Sequence, residues 1–146
     1  MTTPLKLRAT DAEDIEVLSA CLQDALIDFA DMTYLKDEGR FIVVATRFRW
    51  EDLRSDAPVA AFERVLCGIA FESVRRVRMR GIDPKRDQQR IFELLAIRAE
   101  AGALHLVLAG GAEIRLEVSD IVCHLKDLGE PWPVFERPRH PLEESR

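Results

Sequence analysis

The chain has 146 residues, of which 47% are hydrophobic and 32% charged, with a formal net charge of -5. That balance fits one folded domain with a core of its own and excludes a disordered chain. The acidic total argues against broad nucleic-acid or membrane-surface binding, and no apolar run approaches the roughly 20 residues of a membrane-spanning helix.

The opening, MTTPLKLRATDAED, carries no apolar stretch of the kind a signal peptide needs. Cys21, Cys67 and Cys123 are odd in number, widely spaced and without a C-x-x-C pair, so reduced, buried thiols in the cytoplasm are expected rather than a disulfide framework. LKLRAT alternates and reads as a short strand. Residues 11–24 read as a helix, with Thr10 as its cap, Glu13 completing a capping box, and Asp11 and Asp14 at the positive end of the dipole. Ile15, Leu18 and Leu22 form its buried stripe.

From Ala25 the period shifts towards two. DMTYLKDEGRFIVVATRFRWE reads as strand, turn and strand, and EDLRSDAPVAAF as a polar loop. RVLCGIAFESVRRVRMRGI is one long strand or two joined by a bend, followed by the loop DPKRDQQR. IFELLAIRAE, ALHLVLA and AEIRLEVSDIVCHLKDLG follow, separated by turns at Ala101–Gly102 and Gly110–Gly111. Residues 131–146 hold four of the seven prolines and read as an extended tail, with Trp132 and Phe135 available to dock on a neighbour.

The strand region reads as one unit written twice. MTYLKDEGRFIVVA aligns with LAIRAEAGALHLVLA, placing Gly39 on Gly102 and Val43 on Leu106. GIAFESVRRVRMRGID aligns with IRLEVSDIVCHLKDLGE. The second copy breaks phase: Ile114, Leu116 and Val118 are apolar at even numbers, Ile121, Cys123 and Leu125 at odd ones. Such a flip calls for a bulge or bend across VSD, and the matching place in the first copy is FES. The expected fold is α+β: a mainly antiparallel sheet or partly open barrel of about six or seven strands from two three-stranded units (25–82 and 90–128), with an N-terminal helix. Residues 1–130 form the domain. A pleckstrin-homology-like barrel is an alternative by analogy alone.

Residues 73–90, SVRRVRMRGIDPKRDQQR, hold seven of the 21 basic side chains. If the first copy flips phase as the second does, Arg76 and Arg78 turn inward. If it does not, Val77 and Met79 turn inward, and Arg76, Arg78 and Arg80 line the outer face at steps of about 6.6 Å. Arg47 and Arg49 alternate in the same way, with Phe48 and Trp50 read as core. Arg47, Arg49, Arg76, Arg78 and Arg80 therefore form a candidate patch for a small anionic ligand, should their strands be neighbours. The plainer reading pairs these arginines with Glu72, Glu113 or Glu117 across the sheet. Nucleic acid is disfavoured because interleaved aromatic residues are scarce.

No phosphate-binding loop, dinucleotide fingerprint or nucleophile elbow occurs in the sequence. His105 alternates with Leu104 and Leu106 and is expected to face solvent. Cys123 and His124 are adjacent on a strand and so point to opposite faces, which defeats a thiol–imidazole pair. No cofactor or metal is expected. A scattered enzymatic site would have to draw on Asp31, Asp37, His105, His124 and Asp127.

Over nearly its whole length the chain resembles a bacterial family of small proteins known as domain of unknown function 2948. The matching stretches are DAEDIEVLSACLQDAL, DMTYL, RFRWE, VRMRGID, LLAIRAE, IRLEV, LKDLGEPW and RPRH. The resemblance implies a compact cytoplasmic protein and carries no catalytic residue with it. The functional expectation is a non-enzymatic binding or protein-interaction module, with a protein partner or self-association and no membrane. The alternatives are an anionic ligand or nucleic acid held by the arginine patch, and the scattered enzymatic site.

Overall fold

The structure, a computed structural model, describes residues 4–50 and 63–133. Its elements are β1 (Lys6–Ala9), α1 (Ala12–Cys21), β2 (Ala25–Asp28), β3 (Met32–Leu35), β4 (Arg40–Phe48), β5 (Glu63–Phe71), β6 (Val74–Arg80), β7 (Ile91–Glu100), β8 (Ala103–Leu108), β9 (Glu113–Val118) and β10 (Cys123–Pro133).

The helix starts one residue later than its sequence cap. Asp11, in an extended conformation, accepts from Asp14 N at 2.8 Å, and the Asp14 carboxylate accepts from Thr10 N at 2.9 Å. The acids thus bond to orphan N–H groups at the helix entrance, an arrangement worth about 1 kcal/mol. The helix ends at Cys21 rather than near residue 24, because Asp24 turns left-handed (φ 64°) and donates its N–H to Leu94 O, opening β2. Ile15, Leu18 and Leu22 are buried as expected. Ser19 Oγ accepts from Ile97 N at 2.9 Å, just beyond the register shift between Leu94 and Ala96 in β7.

Among the described residues the sheet is mostly antiparallel, open, and has ten strands rather than six or seven, in the order β1-β10-β5-β4-β2-β7-β8-β9-β6, with β3 also on β4. The count rises because long apolar stretches are cut by bends and each part finds a different partner. One chain segment forms β5 and β6, interrupted at Glu72 and Ser73, where Ser73 has φ 57°. β5 pairs with β4 and β10, whereas β6 pairs with β9. Likewise β9 pairs with β8 and β6, and its continuation β10 crosses to β5 and β1. The two bends touch: Glu72 N donates to Val122 O at 2.8 Å and Ser119 N to Ser73 O at 3.0 Å. Strands that change partners at bends turn a sheet around its core.

That core lies between the inward phases of these strands. Phe41 and Phe71, each 1% exposed, meet with ring centroids 6.3 Å apart, and Leu104, Leu106, Ile114 and Leu116 join the same cluster. β10 continues through Trp132 and Pro133, paired with Arg64 and Glu63 beyond an irregularity after Leu128. The first residues of the expected tail therefore belong to the sheet. Phe135 and the rest of that segment lie outside the described residues, as do the whole EDLRSDAPVAAF loop and His140.

The phase of β6 follows from two irregularities. Val65, Cys67, Ile69 and Phe71 are buried at odd numbers, and the bend at Ser73 puts Val74 inward at an even one. A register shift between Val74 and Arg76 then adds a residue and restores the odd phase. Val77 and Met79 pack against the core, and Arg76, Arg78 and Arg80 are exposed on the outer face.

Candidate functional site

On the outer face of β6, β9 and β8, the register sets Arg80 opposite Glu113, Arg78 opposite Arg115, and Arg76 opposite Glu117. Arg115 in turn faces His105 on β8, and His105 faces Arg98 on β7. Arg78, Arg115, His105 and Arg98 thus form one row across four strands, with acidic residues in the flanking rows. Alternation dictates the pattern, since the inward partners Ile114, Leu116, Leu104 and Leu106 are all buried.

Arg78, Met79, Arg80, His105, Glu113, Arg115 and Glu117 line an open concavity of about 490 Å³. Glu117 Oε2 lies 2.9 Å from Arg78 Nε, yet the approach is not aligned for a hydrogen bond, and that oxygen has no hydrogen-bond partner among the described residues. His105 is on the outer face as alternation requires, but only 12% of its side chain is exposed. Its Nδ1 meets Glu113 Oε1, and its Nε2 lies 2.9 Å from Glu100 Oε2 and 3.3 Å from Arg115 Nη1. Only a ring protonated on both nitrogens donates to both carboxylates at once, whereas the neutral ring can accept from Arg115.

The His105 hydrogen bond, followed by the nearby positive charges, holds the Glu113 carboxyl below the usual glutamate range. A depressed folded-state value contributes stability that is present above the ordinary range and lost as pH falls through the lowered value. Glu113→Gln is therefore expected to flatten the acid limb of the stability curve below about pH 4.5, measured by urea unfolding across a pH series. An unchanged acid limb would show that this contact carries no linkage.

The expected five-arginine patch does not assemble. β4 is separated from β6 by β2, β7, β8 and β9, and Arg47 and Arg49 point inward, 0% and 3% exposed. The physical reason is phase: Phe41, Val43 and Ala45 are buried, and the same alternation continues to Arg47 and Arg49. What makes this tolerable is Asp127, in the buried odd phase of β10. Arg47 Nε and Nη2 donate to Asp127 Oδ1 and Oδ2, each at 2.8 Å, and Leu5 N donates to Oδ2 at 2.8 Å. Arg49 Nη1 approaches the same oxygen at 3.9 Å. This fork-to-carboxylate pair ties β1, β4 and β10 together in the interior.

Phe48 and Trp50, read as core, are instead half-buried on the outer side. Arg64 stacks over Phe48 at 4.1 Å, and Trp50 Nε1 donates to Gln23 O. Glu72 pairs with Arg40 at 3.0 Å rather than with β6. Burial pushes the Cys67 thiol up to about 12, with the Asp127 charge adding to it and Arg47 opposing, and burial does the same to Cys123. Both thiols stay protonated at neutral pH. His124 is exposed while Cys123 is buried, on opposite faces.

The scattered candidates are not gathered. Asp127 is buried against Arg47, His105 sits in the concavity, His124 is on the outer face of β10, and Asp31 and Asp37 lie in short turns flanking β3. Among the described residues no group of three or more His, Cys, Asp or Glu side chains is placed to hold a metal ion, and no helix is long and apolar enough to cross a membrane. Sequence reasoning missed Arg115 as a site residue. The signal was available in EIRLEV, whose alternation puts Glu113, Arg115 and Glu117 on the face that β6 also presents.

No curated protein and no solved structure matches the chain. The family model described as Protein of unknown function (DUF2948) matches residues 5–140, which covers the concavity, the buried Arg47–Asp127 pair and every strand of the sheet, and the chain belongs to that family.

Proposed function

We propose that the protein is a non-enzymatic binding module that recognises an anionic group on the outer face of β6, β9 and β8. The observation that carries this reading is the direct cross-strand pairing of Arg78 with Arg115, with His105 next in the same row. Like charges placed opposite each other across strands oppose folding. An anion seated between two guanidinium forks converts that repulsion into charge-assisted hydrogen bonds. Glu113 and Glu117 flank the row and limit the site to a compact anionic group, since a long polyanion would run over both acids.

A cytoplasmic setting belongs to the same reading, supported by three cysteines that form no disulfide. So does the view of the sheet as one unit written twice. Its support is the left-handed backbone of Gly39 and Gly102 at matching turns. In that view each unit passes its next strand to the other, which is how β6 comes to lie beside β9.

The test is thermal unfolding with inorganic phosphate or citrate. Both are expected to raise Tm, less so as sodium chloride screens the arginines. The gain should vanish in Arg78→Ala/Arg115→Ala and persist in the charge-matched Lys6→Ala/Lys36→Ala. No gain for the parent protein, or equal gains for both double variants, would overturn the proposal.

A further inference from the structure

Among the described residues strand β6 ends the sheet order and pairs with β9 alone. Its first residue is closed off, because Val74 N donates to Gly39 O and Val74 O accepts from the Tyr34 hydroxyl. Beyond it no described strand lies on the other side, which leaves an open edge. Val118 N is committed to Gly102 O, away from β6, so alternation along β9 turns the backbone groups of Glu117, Arg115 and Glu113 towards β6. Their register partners Arg76, Arg78 and Arg80 use their backbone groups on β9. Val77 and Met79 therefore present N–H and C=O to the open edge, and no hydrogen bond reaches those groups from a third strand among the described residues.

The side chains along this edge have two different faces. Arg76, Arg78 and Arg80 stand exposed on the outer side, while Val77 and Met79 lie inward, only partly buried at the margin of the core. We propose that the open edge of β6 takes an extended acidic segment of a partner protein as an added strand, in which acidic and apolar residues alternate. Backbone bonds to Val77 and Met79 supply the pairing. Apolar residues opposite those two extend the core, and acidic residues opposite the arginines meet opposite charge across the strands. The same charges oppose pairing of β6 with a second copy of itself, since arginine would face arginine. This inference rests on the anion-binding reading above, each carboxylate of the added strand being a compact anionic group that meets the β6 arginines from the edge away from Glu113 and Glu117.

The experiment uses the full chain and a fluorescein-labelled seven-residue peptide that alternates glutamate with valine, followed by anisotropy and amide hydrogen exchange. Binding is expected, with slowed exchange at Val77 and Met79. N-methylation of the peptide on the parity that faces β6 should weaken binding about tenfold, the scale of one or two lost backbone hydrogen bonds. Arg76→Glu/Arg80→Glu should lose the glutamate peptide and gain its lysine counterpart. Equal binding of both N-methylated parities, or exchange at Val77 and Met79 left unchanged on saturation, would overturn strand addition. So would tighter binding of an oligothymidylate than of the peptide. Citrate protection that survives while the peptide fails would refute this inference alone. Failure of both would refute the anion-binding reading with it.

Discussion

An Asp127→Ala variant is expected to lose about 3–5 kcal/mol of stability, which would leave a domain of this size barely folded. The Arg47 side chain is 0% exposed and that of Asp127 1%, with two hydrogen bonds of 2.8 Å between them. Removing the carboxylate takes from the buried Arg47 guanidinium the partner of both Nε and Nη2, and takes an acceptor from Leu5 N. Urea unfolding measures the loss. The double variant Arg47→Met/Asp127→Leu is expected to be more stable than Asp127→Ala, because it removes the buried guanidinium along with its carboxylate. A single variant within 1 kcal/mol of the parent would mean that the pair does not organise β1, β4 and β10.

Gly81→Ala is expected to cost about 2–4 kcal/mol, from a left-handed backbone and a steric collision together. Gly81 has φ +71°, and an added Cβ would lie 2.8 Å from Gly111 O and 3.2 Å from Ala112 Cα. Both obstacles are backbone, so neither can swing aside. Gly102 has a similar φ of +73° but nothing within 4 Å of an added Cβ. Gly102→Ala should therefore show only the conformational part, about 1–2 kcal/mol. The difference between the two, read by chemical denaturation, isolates the close approach that ends β6 beside the Gly110–Gly111 turn. Equal costs would show that this turn gives way freely.

Much of the strand map was legible because inward residues alternate without a break for long stretches. The turn before β4, the β7–β8 and β8–β9 turns and the bends after Phe71 and Val118 could all be read from glycines and phase breaks. The strand count was not legible. Whether a bent segment counts as one strand or two depends on which partners each half meets, and pairing is a property of the whole sheet. β2 was hidden for the same reason: four residues, Ala25–Asp28, gain their identity by bridging β4 to β7.

The site divides in the same manner. The outward phase of Arg76, Arg78 and Arg80 was one of two readings, and a single extra residue at Arg75 decides it. The inward phase of Arg47 was readable from Phe41, Val43 and Ala45, but charge argued against it until a buried carboxylate was in view. Asp127 follows Cys123 and Leu125 in phase, so two opposite charges in the apolar phases of two strands were the available signal. Arg115 and His105 joined the arginines of β6 only through the β6–β9 and β9–β8 registers, which no local pattern specifies.

A two-dimensional NMR titration of the labelled chain with citrate bears most directly on the claim that this outer face binds anions. Saturable shifts at the backbone amides of Arg78, Arg115 and His105, weakened by added sodium chloride, are the predicted result. Shifts at Lys6 or Lys36 of equal size, or none at those three residues, would contradict it.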